Sequence, residues 1–170
     1  MSQGSALGVN DTLIMTADGE RTMPLQPAFL ATLETKDTDV TGDGTVFQLV
    51  SGNALTEIFD QGSDFNTNGT FTAPVTGRYF LHASIMMSGV TAGFTNATML
   101  LDTSNANYYC VFGAAQMASA NDQLIVEGSA IVDMDAADIA IARLSIGGGA
   151  KTIDLLTNNR DTRVEGFLIC

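Results

Sequence analysis

The chain has no tryptophan, one histidine, two cysteines, three prolines and seven basic residues among 170. Each scarcity removes a class of function. One histidine, His82, cannot furnish a His-rich metal centre and makes a histidine-paired catalytic triad a weak proposition. Between Leu81 and Ala83 it reads as a core or interface residue, whose protonation would bear on assembly. Two cysteines do not make a disulfide framework. Cys110 follows Tyr108 and Tyr109 in an apolar strand and reads as a small buried hydrophobe, so a bridge to Cys170 has little support. The seven basic residues stand against nineteen acidic ones, a formal charge of −12. Such a surface repels phosphate backbones, which sets nucleic acid aside. No run approaches the roughly 18 apolar residues of a membrane helix. The start, Met1-Ser2-Gln3-Gly4, lacks the basic and apolar regions of a signal peptide. The expectation is a cytosolic translation product with no membrane insertion.

What is present is a broken hydrophobicity. Hydrophobic residues make up 45% of the chain, enough for an ordered domain with a core. They are cut into short runs by Gly, Thr, Ser, Asn and Asp. Residues 1–25 are small and polar around the patch Thr12-Leu13-Ile14-Met15, with a turn at Asp18-Gly19-Glu20, and read as an N-terminal arm or attachment segment. From Pro27 the pattern is that of strands. Phe29, Ala31 and Leu33 share one face. Asp37 to Gly44 reads as a glycine-rich turn; it has the Asp-x-Asp spacing of a calcium loop, but Gln48 stands where a bidentate Glu is needed. Gly69 to Ala83 reads as a short strand, a proline turn and a longer strand closing as a hairpin. From Tyr79 the alternation is strict. Tyr79, Leu81, Ala83, Ile85 and Met87 face one way and Phe80, His82, Ser84 and Met86 the other, both faces fairly apolar. A strand buried on two sides suits a sandwich that also oligomerises. Further strands follow over 98–102, 108–112, 123–134, 139–146 and 163–169. About ten short strands without an amphipathic helix give an all-β sandwich.

Three blocks resemble the globular-head domain of complement-1q, in the complement-1q and tumour necrosis factor jelly-roll superfamily. In the first, Phe71, Gly77 and Tyr79 stand at the family's spacing of Phe, five residues, Gly, one residue, Tyr. Ser129 to Ile139 is similar to its strand, turn and strand. Val164-Glu165-Gly166-Phe167-Leu168-Ile169 is similar to its closing strand. The match spans 26–170. Leu81 and Ala83 replace family aromatics, and Phe65 sits one residue off the expected spacing. The turn at Thr41 to Val46 and the run from Asp60 to Phe71 look most like the versions in bacteriophage virion proteins.

The resemblance implies a ten-stranded jelly-roll sandwich, homotrimeric, with Phe71, Tyr79, Leu81, Ile85 and Phe167 in the core or the trimer interface. It implies a virion structural or binding protein, a fibre tip or a capsid decoration. Residues 1–25 would join other virion proteins, and the tip would meet a host glycan or protein. The alternative is a cellular complement-1q-like recognition module. No collagen repeat or coiled-coil heptad precedes the domain. Asp133, Asp135 and Asp138 cluster at one turn, where threefold symmetry could favour calcium, as in some family members; a solvated acidic turn is the preferred reading. No other cofactor is expected. Tyr108 and Tyr109 could stack a sugar, yet aromatics on a short strand usually belong to a core. No paired carboxylates have a glycosidase context, so an enzyme is not expected.

Overall fold

The computed structural model describes residues 14–15, 18–23, 25–49, 52–113, 122–157 and 160–169. Fifteen strands and no α-helix form among them. The first eight are β1 (Ile14–Met15), β2 (Arg21–Thr22), β3 (Ala28–Leu33), β4 (Asp37–Thr41), β5 (Val46–Gln48), β6 (Leu55–Gln61), β7 (Phe65–Asn66) and β8 (Thr70–Thr72). The rest are β9 (Gly77–Ser88), β10 (Asn96–Thr103), β11 (Asn107–Gly113), β12 (Gln123–Met134), β13 (Ile139–Gly147), β14 (Ile153–Leu155) and β15 (Arg163–Leu168). β1 and β2 pair only with each other. Cys170 and all of residues 1–13, the larger part of the expected arm, lie outside the described residues.

The remaining strands form two antiparallel sheets. In the larger, β9 carries β12 along one flank and β15 followed by β14 along the other. β3 pairs β15, β4 pairs β14, and β6 closes the edge beside β3. In the smaller, β13 carries β10 and then β11 on one flank, with β8 and β5 in tandem on the other and β7 beyond β8. With the tandem pieces joined, each sheet has five strand positions, ten in all. Consecutive strands lie in different sheets at β4–β5, β5–β6, β6–β7, β8–β9, β9–β10, β11–β12, β12–β13 and β13–β14, the interleaving of a jelly roll.

Alternation places the core. Phe29, Ala31, Leu33, Tyr79, Leu81, Ala83, Ile85 and Met87 point inward from the larger sheet and are buried. Phe71, Ala97, Met99, Leu101, Ala142 and Leu144 meet them from the smaller. At one end the rings form a stack. Phe65 lies 4.7 Å from Phe29, Phe29 4.9 Å from Phe71, and Tyr79 meets Phe71 edge-on at 5.4 Å. The Tyr79 hydroxyl leaves this apolar end by donating to the Val75 carbonyl at 2.7 Å, so its polar atom is not stranded. Gly166 is small for a reason: a Cβ there would sit 2.9 Å from both the Phe29 ring and the Phe80 carbonyl oxygen.

Two expectations are corrected. Gly69 to Ala83 is not a hairpin, because β8 and β9 belong to different sheets. The proline turn spans the sandwich and is tied to the neighbouring crossover: Ala73 donates to the Asp138 carbonyl and Ala137 to that of Ala73, both at 2.8 Å. Asp37 to Thr41 is a strand and not part of a turn. Val40 and Thr41 are buried there, and Asp37, also buried, accepts from the Asn53 amide at 2.8 Å. The turn shrinks to Gly42, Asp43 and Gly44. Gly42 takes φ +133°, and a Cβ on it would collide with the Ala150 carbonyl.

Candidate functional site

Three surfaces present chemistry. The first is the outward face of the larger sheet. In a monomer this face should be polar, since one side of an antiparallel sheet meets water. Here register lines up Ile131, Phe80 and Phe167 across β12, β9 and β15. Phe80 and Phe167 lie 5.3 Å apart, and the next row ends in Leu30 beside Phe59 on β6. Ile131 is 63% exposed, Phe59 48% and Phe167 46%. Between these rings lies a depression of about 300 Å³ lined by Ala28, Phe59, Phe80, Glu165 and Phe167. His82 lies in the same face. Its Nδ1 is 2.9 Å from a Glu165 carboxylate oxygen, which the Arg163 Nε approaches at 3.6 Å. An exposed apolar band with a charged centre is the mark of a surface that another protein covers.

Of the five residues named for core or interface, Phe71, Tyr79, Leu81 and Ile85 are core and buried within one subunit. Phe167 alone points outward. The period of two separates them, since Phe167 pairs in register with Phe80 and not with Tyr79 or Leu81.

The second surface is a groove where both sheets end. Its apolar half is a cavity of about 390 Å³, bounded by Met23, Leu25, Pro27, Val75, Leu168 and Ile169. The Gln26 side-chain amide donates to the Leu168 carbonyl, and the Leu168 amide donates to that of Pro27 at 2.9 Å. This ties the start of the domain to its closing strand. The polar half continues past Asp64 and Pro74 to Glu57, Ser63, Asn66 and Thr72. The Asp60 carboxylate is used locally, accepting from the Asp64 amide at 3.2 Å and the Phe65 amide at 3.0 Å. Asp64 sits where the halves meet, and burial, with Asp60 beside it, raises its carboxyl above the usual value of 3.8. A raised carboxyl opposes folding when ionised; the opposition is present at neutral pH and disappears as pH falls below 3.8. Asp64→Asn is therefore expected to raise the melting temperature at pH 7. The gain should vanish by about pH 3, a dependence that thermal scans across pH would read.

The third surface is the acidic turn. The Asp138 carboxylate accepts from the Asn105 side-chain amide at 2.7 Å and from the Asp135 amide at 2.8 Å. An Asp135 oxygen takes the Thr76 hydroxyl at 3.4 Å. Within one subunit, Asp133, Asp135 and Asp138 do not converge: among the described residues no group of three acidic, His or Cys side chains could hold a metal. The Asp135 and Asp138 carboxylates tie the turn to its neighbours, and Asp133 contributes its backbone carbonyl, which accepts from the Asn105 side-chain amide at 3.1 Å. The expected result is an equal melting temperature in calcium and in chelator. A rise of several degrees with calcium would show that copies meet across an axis to bind it.

Tyr108 and Tyr109 part company. Tyr108 packs against the core, whereas Tyr109 faces outward at 61% exposure.

These features sit on a scaffold that other proteins share. The globular domain of the zebrafish complement 1qA protein superposes with a TM-score of 0.55 at 17% identity, covering 85% of this chain and 98% of that one. Murine APRIL, of the tumour necrosis factor family, gives 0.58 at 10% identity, covering 85% and 99%. The fold is the complement-1q and tumour necrosis factor jelly roll. Within it, vertex protein P5 of the phage PRD1 gives a TM-score of 0.62 at 10% identity, covering 97% of this chain and 86% of that one. No family model and no curated protein sequence matches. Identities this low carry the jelly roll and leave function to the surfaces. The sequence singles out Phe167 and the acidic turn but not the groove, because Met23, Leu25, Asp64, Val75 and Ile169 meet only through long-range pairing.

Proposed function

We propose that this chain is a non-enzymatic structural and binding protein of a bacteriophage particle. It assembles as a homotrimer through the outward face of the larger sheet, is mounted through residues 1–25, and contacts the host surface as a fibre tip or capsid decoration. The observation that carries the reading is the apolar band of Ile131, Phe167 and Phe59, exposed in a single chain around the half-buried Phe80. A threefold axis lets each copy cover the next. The likeness to a phage vertex protein supports the virion and the non-enzymatic reading. The zebrafish complement domain supports the second reading, a cellular recognition module for glycans or proteins.

Imaging purified particles with a gold-labelled antibody to this chain tests the proposal. Label at vertices or fibre ends is the expected result and also separates tip from decoration. Particles without label would overturn the virion reading in favour of the cellular module.

A further inference from the structure

The groove where both sheets end has the features of a binding site. Its cavity of about 390 Å³ lies within the usual range of ligand sites, and four exposed apolar side chains, Met23, Leu25, Val75 and Ile169, gather around it. Its polar half runs between β6 and β7, the terminal strands of the two sheets. Among the described residues β6 forms a ladder only with β3 and β7 only with β8, and a single bond from the Leu55 amide to the Thr67 carbonyl links one end of β6 to the residue after β7. Backbone at such edges suits an extended chain, which can add main-chain hydrogen bonds while its side chains enter pockets. The charge in the groove has one sign. Glu57 and Asp64 line it, no lining residue is basic, and the whole chain carries −12.

We propose that the groove seats an extended peptide segment of the protein on which this chain is mounted, one apolar side chain filling the cavity and a lysine or arginine lying against Asp64 and Glu57. The inference rests on the attachment reading and names the chemistry of the attached partner. The groove adjoins Gln26 and Pro27, where the arm joins the domain, so a segment held there reinforces the tether. A cation beside Asp64 also relieves the cost of holding that carboxyl ionised among apolar neighbours.

The test uses the full chain and arrayed peptides carrying one leucine and one lysine at varied spacings in a serine–threonine background. Fluorescence polarisation is expected to select one spacing. Replacing the lysine with glutamine should weaken that peptide about tenfold. Asp64→Asn should cause the same loss and leave the glutamine peptide unaffected. Val75→Asp should abolish binding of both while the melting temperature holds. An array with no leucine–lysine preference overturns the inference, as does binding indifferent to both substitutions. Equal binding of hexylamine alone would mark a small-amphiphile pocket and overturn it too. So would occupation by a peptide of residues 1–13 of this chain while the array stays silent. Particles that carry the label while the array fails would leave the virion reading standing without the groove. Unlabelled particles would remove that reading, whatever the peptides do.

Discussion

Phe167→Asp is expected to leave a folded monomer where the native chain, as proposed, scatters as a trimer. In one subunit the ring is 46% exposed, so the exchange opens no cavity in the sandwich, and β15 keeps its backbone pairing to β3 and β9. Within its own chain the ring lies 5.3 Å from Phe80, which is in register with Ile131, and in the proposed trimer a neighbouring copy would cover this row. A carboxylate there loses water without gaining a partner, which costs on the order of 3–5 kcal/mol. Threefold symmetry applies the cost once per subunit, about 10 kcal/mol for the particle, or roughly seven orders of magnitude in the association constant. Light scattering should move from three times the 17.8 kDa chain mass to one. Val46→Asp serves as the control, because Val46 is 57% exposed on the smaller sheet. A native chain that scatters as a monomer would end the trimer proposal. A variant that stays trimeric would move the interface to another face.

Phe71→Ala should unfold the domain far more readily than any surface change. Phe71 stands mid-stack, 4.9 Å from Phe29 and 5.4 Å from Tyr79, and is 2% exposed. Its rigid neighbours in two sheets cannot collapse into the space. The loss should be about 3–5 kcal/mol, lost transfer energy plus the cavity, against a typical total of roughly 5–15 kcal/mol. For a domain of this size the melting temperature should fall by roughly 10 °C or more. The measurement is cleanest in the Phe167→Asp background, where association no longer feeds the apparent stability. A loss under about 1 kcal/mol would mean that the stack is not a structural centre.

Most of the sandwich was legible because its signals are local. Period-two alternation located β3, β9, β12 and β13, and one register decision separates Leu81 in the core from Phe167 outside. The failures share a cause. β4 begins with Asp37, a poor strand former, and one of its carboxylate oxygens is held by the Asn53 amide from another part of the chain. The stretch around Pro74 carries a hairpin's local signals, and only Asp138 and Ala137 make it a crossover. Asp64 is an ordinary loop aspartate until the fold brings Met23 and Ile169 to it. Pairing over such separations is invisible to periodicity.

The tie between Gln26, Pro27 and Leu168 has a mechanical meaning. A pull on the arm enters β3, which is registered with β15 on one side and β6 on the other. Tension along that strand loads both ladders in shear, so many backbone hydrogen bonds must fail together. A peeling geometry would break them one at a time. A mount at residues 1–25, as proposed, would therefore lie on a load path that resists a tug in shear.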